Sequence, residues 1–473
     1  ARLMIYHIVF SFLLLAASLS ASSAEDSYDE LLFEIYEEVV TADTTHSSDD
    51  TLAVANQLAN RLVGEGFAPG DVTVVEFGGK GNLVARLRSQ NPEAEPALFL
   101  AHMDVVEADP VDWSMNPFEL HDVDNYYYGR GTLDDKDEVA IHITNLIRMK
   151  REKVPLKRDV IVAITADEEG GPHNGARHLV ENHRELVDAA FVINEGGGGI
   201  IKDGFYVANT VQAAEKVYQS YYLEVTNPGG HSSLPRKDNA IYQLSNALKK
   251  IEAHAFPVML NATTRAYFEG QASIADEESA ARLRGLLMEP PDPASVQYFE
   301  DEPTINARLR TTCVATELLA GHAENALPQR ARATVNCRVF PGVPVADIQL
   351  TLERVTADPE VCVTPVQVAF VSDASPLLDE VMTPIKLITE SMWPQAVVIP
   401  TMSTGATDAL WFRNAGIPVY GVSGIFSDIA DNRAHGRDER ILKRSLYEGL
   451  EFLYRLTVSL VISEDMADPT TKL

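Results

Sequence analysis

The stretch Ala97-Leu-Phe-Leu-Ala-His-Met-Asp104 combines a short apolar run with two polar side chains at its end. Two further runs have the same form: Ile161–Thr165 leads into Asp167-Glu168-Glu169, and Phe191–Ile193 leads into Asn194-Glu195. Short apolar runs with polar ends are typical of buried strands in an α/β sheet. Because ligands of such sheets bind at the carboxyl ends of the strands, we expect these polar residues to converge on one crevice.

Helical and extended segments alternate around these runs, which predicts an α/β fold with a mixed sheet. Between Val217 and Phe370 the order becomes strand–helix–strand–strand–helix–strand, which predicts a smaller α+β lid domain of ferredoxin-like type, inserted into the catalytic domain. Within it, Phe256–Ala307 is rich in proline and charge, and the sequence assigns it no role. A closing helix is predicted over Asp438–Leu460. The predicted division is a signal peptide at 1–24, a catalytic domain at 25–211 and 371–473, and the lid at 212–370.

The charge balance limits the partners of the chain. Its 473 residues include 39 Lys and Arg against 69 Asp and Glu, a formal net charge of −30. A surface with this excess is repelled by nucleic acids and anionic membranes, so we expect neither as a partner. It leaves room for a local cation-binding site.

The amino-terminal segment has the pattern of a secretory signal peptide. An apolar run, Leu3–Ala17, is followed by small residues that end at Ala24 and then by acidic residues. An uncleaved anchor is the alternative, although the run is shorter than the ~20 residues that a spanning helix needs. No later stretch is apolar enough to span a bilayer. We therefore expect a secreted or periplasmic protein without a stable membrane span.

Three cysteines, Cys313, Cys337 and Cys362, are too few for a disulfide scaffold and lack CxxC metal spacing. Cys313 and Cys337 lie at equal distances on either side of Asn325, so an antiparallel pair that turns there would bring them face to face. An oxidising compartment permits one such bridge. Buried unpaired thiols are the interpretation that we favour on the sequence alone.

The predicted crevice holds many carboxylates, because Asp134-Asp135 adds a fourth acidic element at the start of a helix. Such a cluster needs a compensating cation, and oxygen ligands with one or two histidines suit zinc, manganese or cobalt. In His102-x-Asp104 the carboxylate would orient the imidazole ligand. Adjacent Glu168 and Glu169 suit a division of labour, in which one binds metal and the other handles a proton.

Taken together, these motifs resemble one known family. They are His102-x-Asp104, Gly129-Arg-Gly-Thr-Leu-Asp-Asp-Lys136, Asp167-Glu-Glu-Gly-Gly171, Asn194-Glu195, Gly230-His-Ser-Ser-Leu-Pro235 and Ala434-His-Gly-Arg-Asp-Glu439. In this order, over about residues 30–460, the chain resembles the M20 family of di-zinc metallopeptidases, in its carboxypeptidase and aminoacylase-like branch.

The resemblance implies a complete set of site residues. The metal ligands would be His102, Asp134, Glu169, Glu195 and His435, with Asp134 bridging two Zn²⁺ ions that Co²⁺ or Mn²⁺ could replace. It further implies that Glu168 is the general base, that Asp104 is the partner of His102, and that His231 reaches the substrate from the lid. Asn325, Arg338 and the turn at Gly405 match positions that contact the substrate's carboxylate.

The resulting functional prediction is hydrolysis of an amide bond next to a free carboxylate, in a small peptide or an N-acyl amino acid. We favour a carboxypeptidase or dipeptidase, and an N-acyl-amino-acid deacylase is the alternative, since both activities share every motif and no residue separates them. A non-catalytic binding protein is disfavoured, because all five ligands and Glu168 are present. The resemblance also implies a homodimer that forms through the lid domain.

Overall fold

The structure, a computed structural model, describes residues 28–48 and 50–462, so the predicted signal peptide lies outside the described residues. In chain order the helices are α1 (28–40), α2 (Thr51–Gly64), α3 (Lys136–Glu152), α4 (Gly175–Asn182), α5 (Arg184–Val187), α6 (Ala240–Glu252), α7 (Ala262–Ile274), α8 (Glu277–Leu286), α9 (Pro293–Tyr298), α10 (Pro303–Leu309), α11 (Val345–Thr356), α12 (Asp379–Met392), α13 (Ala409–Asn414) and α14 (Lys443–Val461).

The strands follow the same numbering. They are β1 (Val72–Phe77), β2 (Lys80–Leu87), β3 (Ala97–His102), β4 (His121–Val123), β5 (Tyr126–Tyr128), β6 (Val160–Thr165), β7 (Phe191–Asn194), β8 (Gly199–Lys202), β9 (Phe205–Glu215), β10 (Val217–Thr226), β11 (Gly230–His231), β12 (Thr312–Ala320), β13 (Ala326–Leu327), β14 (Arg330–Val339), β15 (Cys362–Pro365), β16 (Val397–Ser403), β17 (Val419–Gly421), β18 (Phe426–Asp428) and β19 (Arg440–Leu442).

The chain divides into two compact units. The first unit takes the chain up to Thr210, together with Leu378–Val398 and the part that follows Val419. The second unit consists of Val211–Leu377 and Ile399–Val419.

The first unit is built on a mixed sheet with the strand order β1-β2-β6-β3-β7. Strand β3 runs parallel to both β6 and β7, whereas β2 runs antiparallel to β6. All residues of β3, β6 and β7 are buried, as their continuous apolar sequences predict. In the register, His102 lies opposite Thr165, so these strands end side by side. The predicted α/β class with a mixed sheet is confirmed.

The second unit contains a four-stranded antiparallel sheet with the order β12-β14-β10-β15. Helices α6 and α11 pack their apolar faces on it, in a core that includes Tyr221, Leu244, Val335 and Ile348. The elements follow in the predicted order β10-α6-β12-β14-α11-β15. The segment that the sequence left without a role contains four short helices, α7 to α10.

Two predicted element bounds are wrong. The closing helix begins at Lys443 rather than Asp438, because Arg440–Leu442 pairs with β5 and alternates around the buried Ile441. The last strand of the four-stranded sheet covers only Cys362–Pro365 of the predicted run to Phe370. Proline lacks the N–H group that a further ladder hydrogen bond needs, so the strand ends there.

The favoured interpretation of unpaired thiols is also wrong for two of the cysteines. Strands β12 and β14 pair antiparallel with Cys313 opposite Cys337, and the two sulfurs form a disulfide. Cys362 is an exposed free thiol on β15. The chain turns back between β12 and β14 around Asn325, as the equal spacing of Cys313 and Cys337 from this residue predicted for an antiparallel pair.

Within residues 28–48 and 50–462, no helix has the length and apolarity of a membrane-spanning segment.

Candidate metal centre

The first group of candidate ligands forms around His102, the last residue of β3. Its Nδ1 lies 3.0 Å from the carbonyl oxygen of Asp104 and 3.6 Å from that residue's Oδ1. Because a carbonyl oxygen only accepts, the ring carries a proton on Nδ1. Its Nε2 then faces Oδ1 of Asp134 at 3.2 Å and Oε1 of Glu195 at 4.0 Å. The backbone N–H of His102 donates to Oδ2 of Asp135 at 3.0 Å, which fixes the strand end.

The second group shares one residue with the first. Oδ2 of Asp134 lies 3.1 Å from Nε2 of His435, and this nitrogen is 2.9 Å from Oε1 of Glu169. In each group, His102/Asp134/Glu195 and Asp134/Glu169/His435, one donor atom per residue lies within 4.8 Å of the others. Asp134 therefore offers one oxygen to each group.

The electrostatics of the cluster fit a cation. Hydrogen bonds with Asp134 and Glu169 raise the pKa of His435 to about 10. Burial alone would lower the pKa of His102, but its contacts with Asp104 and Asp134 raise it well above the ordinary value. The carboxylates thus favour positive charge at both imidazoles, and a divalent ion bound among them would take over this neutralisation. The donor set of carboxylate oxygens and imidazole nitrogens suits zinc, cobalt or manganese.

Asp104 contacts one residue of each donor group. Its Oδ2 accepts the backbone N–H of Glu169 at 3.0 Å, while its other oxygen is directed towards the ring of His102. Glu168 is half-buried beside them, and its charge acts on His102 in the direction that raises the imidazole pKa. The structure thus brings together seven predicted site residues: His102, Asp104, Asp134, Glu168, Glu169, Glu195 and His435.

The turn that carries Glu168 and Glu169 has its own support. Asp167, which precedes them, has φ of 60°, and its buried carboxylate accepts the backbone N–H of His173. Oδ1 of Asn82 accepts the N–H of Ala166 at 3.1 Å, just before the turn. Gly175 lies against this amide so closely that a Cβ there would be 1.7 Å from Oδ1. No sequence signal beyond the polar residue in a buried strand points to Asn82.

A buried ion pair to which the sequence did not point lies beside Asp134. Arg130 and Glu439 both lie inside motifs that carry the family resemblance, but the resemblance assigns them no role. Their side chains are 3% and 1% exposed, and Nη1 of Arg130 lies 2.6 Å from Oε2 of Glu439. The available signal was their spacing, because Arg130 lies four residues before Asp134 and Glu439 lies four residues after His435.

Two of the remaining predicted residues meet within the second unit. His231 ends β11, which pairs with β13, and the N–H of the following Ser232 donates to the carbonyl oxygen of Asn325. Nδ1 of His231 accepts the backbone N–H of Ser233 at 3.2 Å. A neutral ring therefore carries its proton on Nε2. The imidazole is exposed.

The other two also lie in the second unit. The guanidinium of Arg338, on β14, stands 4.7 Å over the ring of Tyr218 and donates to the carbonyl oxygen of Thr404, the residue before Gly405. Among the described residues, no carboxylate lies within 4.0 Å of this guanidinium. The structure therefore places Arg338 beside the Gly405 turn and His231 beside Asn325.

Several known proteins are similar to this chain in sequence. The N-fatty-acyl-amino acid synthase/hydrolase PM20D1 of Homo sapiens is 28% identical over 382 residues, which cover 78% of this chain and 75% of that protein. The protein of the same name from Xenopus tropicalis is 30% identical over 381 residues, with coverage of 78% and 72%. The probable carboxypeptidase S-like 2 of Dictyostelium discoideum is 28% identical over 391 residues, with coverage of 79% and 73%.

Solved structures share the fold. The M20 family metallo-carboxypeptidase Sso-CP2 of Sulfolobus solfataricus has a TM-score of 0.66 at 18% identity, covering 91% of this chain and 99% of that one. Human carnosine dipeptidase 1 has a TM-score of 0.61 at 16% identity, with coverage of 93% and 97%. The sequence profile of Peptidase family M20/M25/M40 matches residues 98–459, which confirms the resemblance in the motifs. The chain belongs to this peptidase family and is an amide hydrolase.

Proposed function

We propose that this hydrolase uses two Zn²⁺ ions to cleave an amide bond next to a free carboxylate, as a carboxypeptidase or dipeptidase. The observation that carries the proposal is the pair of three-residue donor groups that share Asp134. Co²⁺ and Mn²⁺ accept the same donors and would substitute.

One ion would be held by His102, Asp134 and Glu195, and the other by Asp134, Glu169 and His435. When bound, a pair of such ions lowers the pKa of water and polarises the carbonyl group of the substrate. The carbonyl oxygen of Asp104 supports this arrangement, because it holds the proton of His102 on Nδ1. The lone pair of Nε2 is then available to bind metal.

Glu168 would be the general base. It directly follows Asp167 in the turn that Asn82 and His173 stabilise, and its negative charge raises the pKa of His102. Its carboxylate would accept the proton of the attacking water and then deliver it to the leaving amine. Its neighbour Glu169 would bind metal, so that proton transfer and metal binding are divided between two adjacent residues.

The second unit would recognise the rest of the substrate. Because Nδ1 of His231 is an acceptor, its Nε2–H is available to donate to the developing oxyanion. Arg338 would bind the free carboxylate through charge-assisted hydrogen bonds, together with Asn325 and the Gly405 turn. The lack of a carboxylate partner for Arg338 among the described residues supports this role.

A second candidate function is hydrolysis of N-acyl amino acids. It is favoured by the relatives named N-fatty-acyl-amino acid synthase/hydrolase, which are as similar to the chain as the carboxypeptidase S-like protein is. Both reactions break an amide bond whose leaving amine belongs to an amino acid with a free carboxylate. The same residues therefore serve either substrate.

A matched substrate panel tests both functions. Zinc-loaded protein is given a dipeptide that ends in phenylalanine, an N-acyl-phenylalanine, and the C-terminally amidated form of each. We expect cleavage of the forms with a free carboxylate and little of the amidated forms, with the ratio of kcat/KM deciding between peptidase and deacylase. Equal cleavage of the amidated forms would contradict the carboxylate requirement. Absence of bound transition metal in protein purified without chelator would favour a non-catalytic binding role.

We also propose that the protein is exported and pairs through its second unit. The amino-terminal sequence and the Cys313–Cys337 bridge support export, since such bridges persist in oxidising compartments. Strand β12 supports pairing, because it is the edge of its sheet and exposes Val314, Leu318 and Leu319. If His231 acts across subunits, mixing His231→Ala with Glu168→Ala protein restores about a quarter of the activity, because one site in each mixed dimer is intact.

A further inference from the structure

Glu439 contacts the chain segment that carries the shared ligand. Its Oε1 accepts two backbone N–H groups, from Leu133 at 2.9 Å and from Asp134 itself at 3.2 Å. The backbone N–H of Gly129 donates to its carbonyl oxygen, so the carboxylate and the main chain of Glu439 both hold the 129–134 turn. Glu439 therefore fixes the backbone from which the Asp134 carboxylate extends.

Arg130 extends this network to a second ligand. Besides the 2.6 Å contact with Glu439, its Nη2 lies 3.5 Å from the carbonyl oxygen of His435. The guanidinium also stands 4.9 Å from the ring centroid of Trp113, over the face of the indole. One buried ion pair thus contacts the main chain at Asp134 and at His435, which are distant in sequence and share one donor group.

An ion pair with this burial is a poor source of stability, because desolvation of two charges offsets most of their attraction. Its contacts suggest a different use. We propose that Arg130 and Glu439 are a positioning pair, which fixes the position of the Asp134 carboxylate that both donor groups share. The inference rests on the proposed di-metal function. Because Asp134 belongs to both donor groups, the pair controls the affinity of both ions and not of one.

The test is a Co²⁺ titration of metal-free Glu439→Gln protein, followed by visible absorbance of the bound ion. Loss of an orienting partner of this kind weakens metal binding by about 10–100-fold, and we expect a loss of that size at both sites. Glu215→Gln is the matched control, because Glu215 is also buried, pairs with Arg413 and accepts the backbone N–H of Thr407, but contacts no candidate ligand. We expect this control to bind Co²⁺ with the affinity of the wild type.

The outcomes separate the two proposals. Wild-type affinity in folded Glu439→Gln protein would overturn the positioning role, as would an equal loss in the control. If Glu439→Gln does not fold, Arg130→Lys is titrated instead, and unchanged affinity there has the same meaning. If wild-type protein binds two Co²⁺ ions but cleaves no amide, the proposed function fails while the positioning role stands. If wild-type protein binds none, both fail.

Discussion

Removal of the Cys313–Cys337 disulfide is expected to destabilise the second unit without touching the metal centre. The bridge closes a loop of sequence separation 24 and ties the edge strand β12 to the central strand β14. Replacing both cysteines by alanine releases this constraint in the unfolded chain. The matched control is Cys362→Ala, which removes an exposed free thiol from the same sheet.

The magnitude follows from the length of the loop. Closing a loop of this size costs the unfolded chain conformational entropy worth about 3.5 kcal/mol at 25 °C. Loss of this stabilisation corresponds to an increase of about 300-fold in the population of the opened sheet. Cys337 is fully buried in the core of the unit, so the missing sulfur adds a further penalty from the cavity that it leaves.

Amide hydrogen exchange reads this population locally. Peptides from β10 and β14 should exchange about 300-fold faster in the double variant, since exchange of core strands tracks the opening free energy. Peptides from β3 and β6 of the first unit serve as internal references. Thiol alkylation of denatured, non-reduced wild-type protein should label one cysteine of three, Cys362.

Two results would refute this reasoning. Labelling of all three cysteines in protein from an oxidising compartment would show that the bridge does not form. Unchanged exchange in β10 and β14 of the double variant would show that the bridge does not limit opening of the sheet.

Four further predictions concern the site and its surroundings. Asp134→Ala should abolish binding of both metal ions, whereas His435→Ala should leave one, as metal analysis by mass spectrometry can show. Glu168→Ala should retain both ions and lose at least about 100-fold in kcat, because proton transfer by a positioned base contributes that much or more; normal turnover would exclude its role as base. Arg338→Met should raise KM by roughly 10- to 150-fold, the value of a lost charged hydrogen bond, with no effect on metal content. Burial lowers the pKa of Lys216 to about 7 from 10.5, so the unfolded chain binds more protons between these values, and stability should rise with pH across that window. Urea unfolding at pH 7 and 9 measures this rise, which Lys216→Met should remove.

The strand ends of the first unit were predictable because the signal is local. In β3 and β6 every residue is buried, so the sequence reads as an apolar run, and the polar residues that follow mark the carboxyl end. Parallel pairing then places His102 and the Glu168 turn at neighbouring strand ends. The order of motifs supplied the more distant ligands, such as His435, which no local pattern would have connected to Glu169.

The parts that escaped prediction depend on contacts between distant segments. Asn82 is a polar residue in a buried strand, and only the tertiary structure shows that its amide holds the chain before Asp167. The disulfide required the register of β12 against β14, which a symmetric spacing suggests but does not fix. The predicted closing helix included Arg440–Leu442, and only the pairing of this segment with β5 shows that it is a strand.

The close approach of Gly175 to Asn82 has a consequence for the genetics of this protein. Any side chain at position 175 would displace the amide that holds Ala166, and with it the turn that carries Glu168 and Glu169. In a saturation mutagenesis screen, position 175 should therefore score as intolerant as a ligand position, although it touches no ligand. The loss of activity at position 175 would resemble a catalytic defect, although its cause is the lack of space for a Cβ atom beside Asn82.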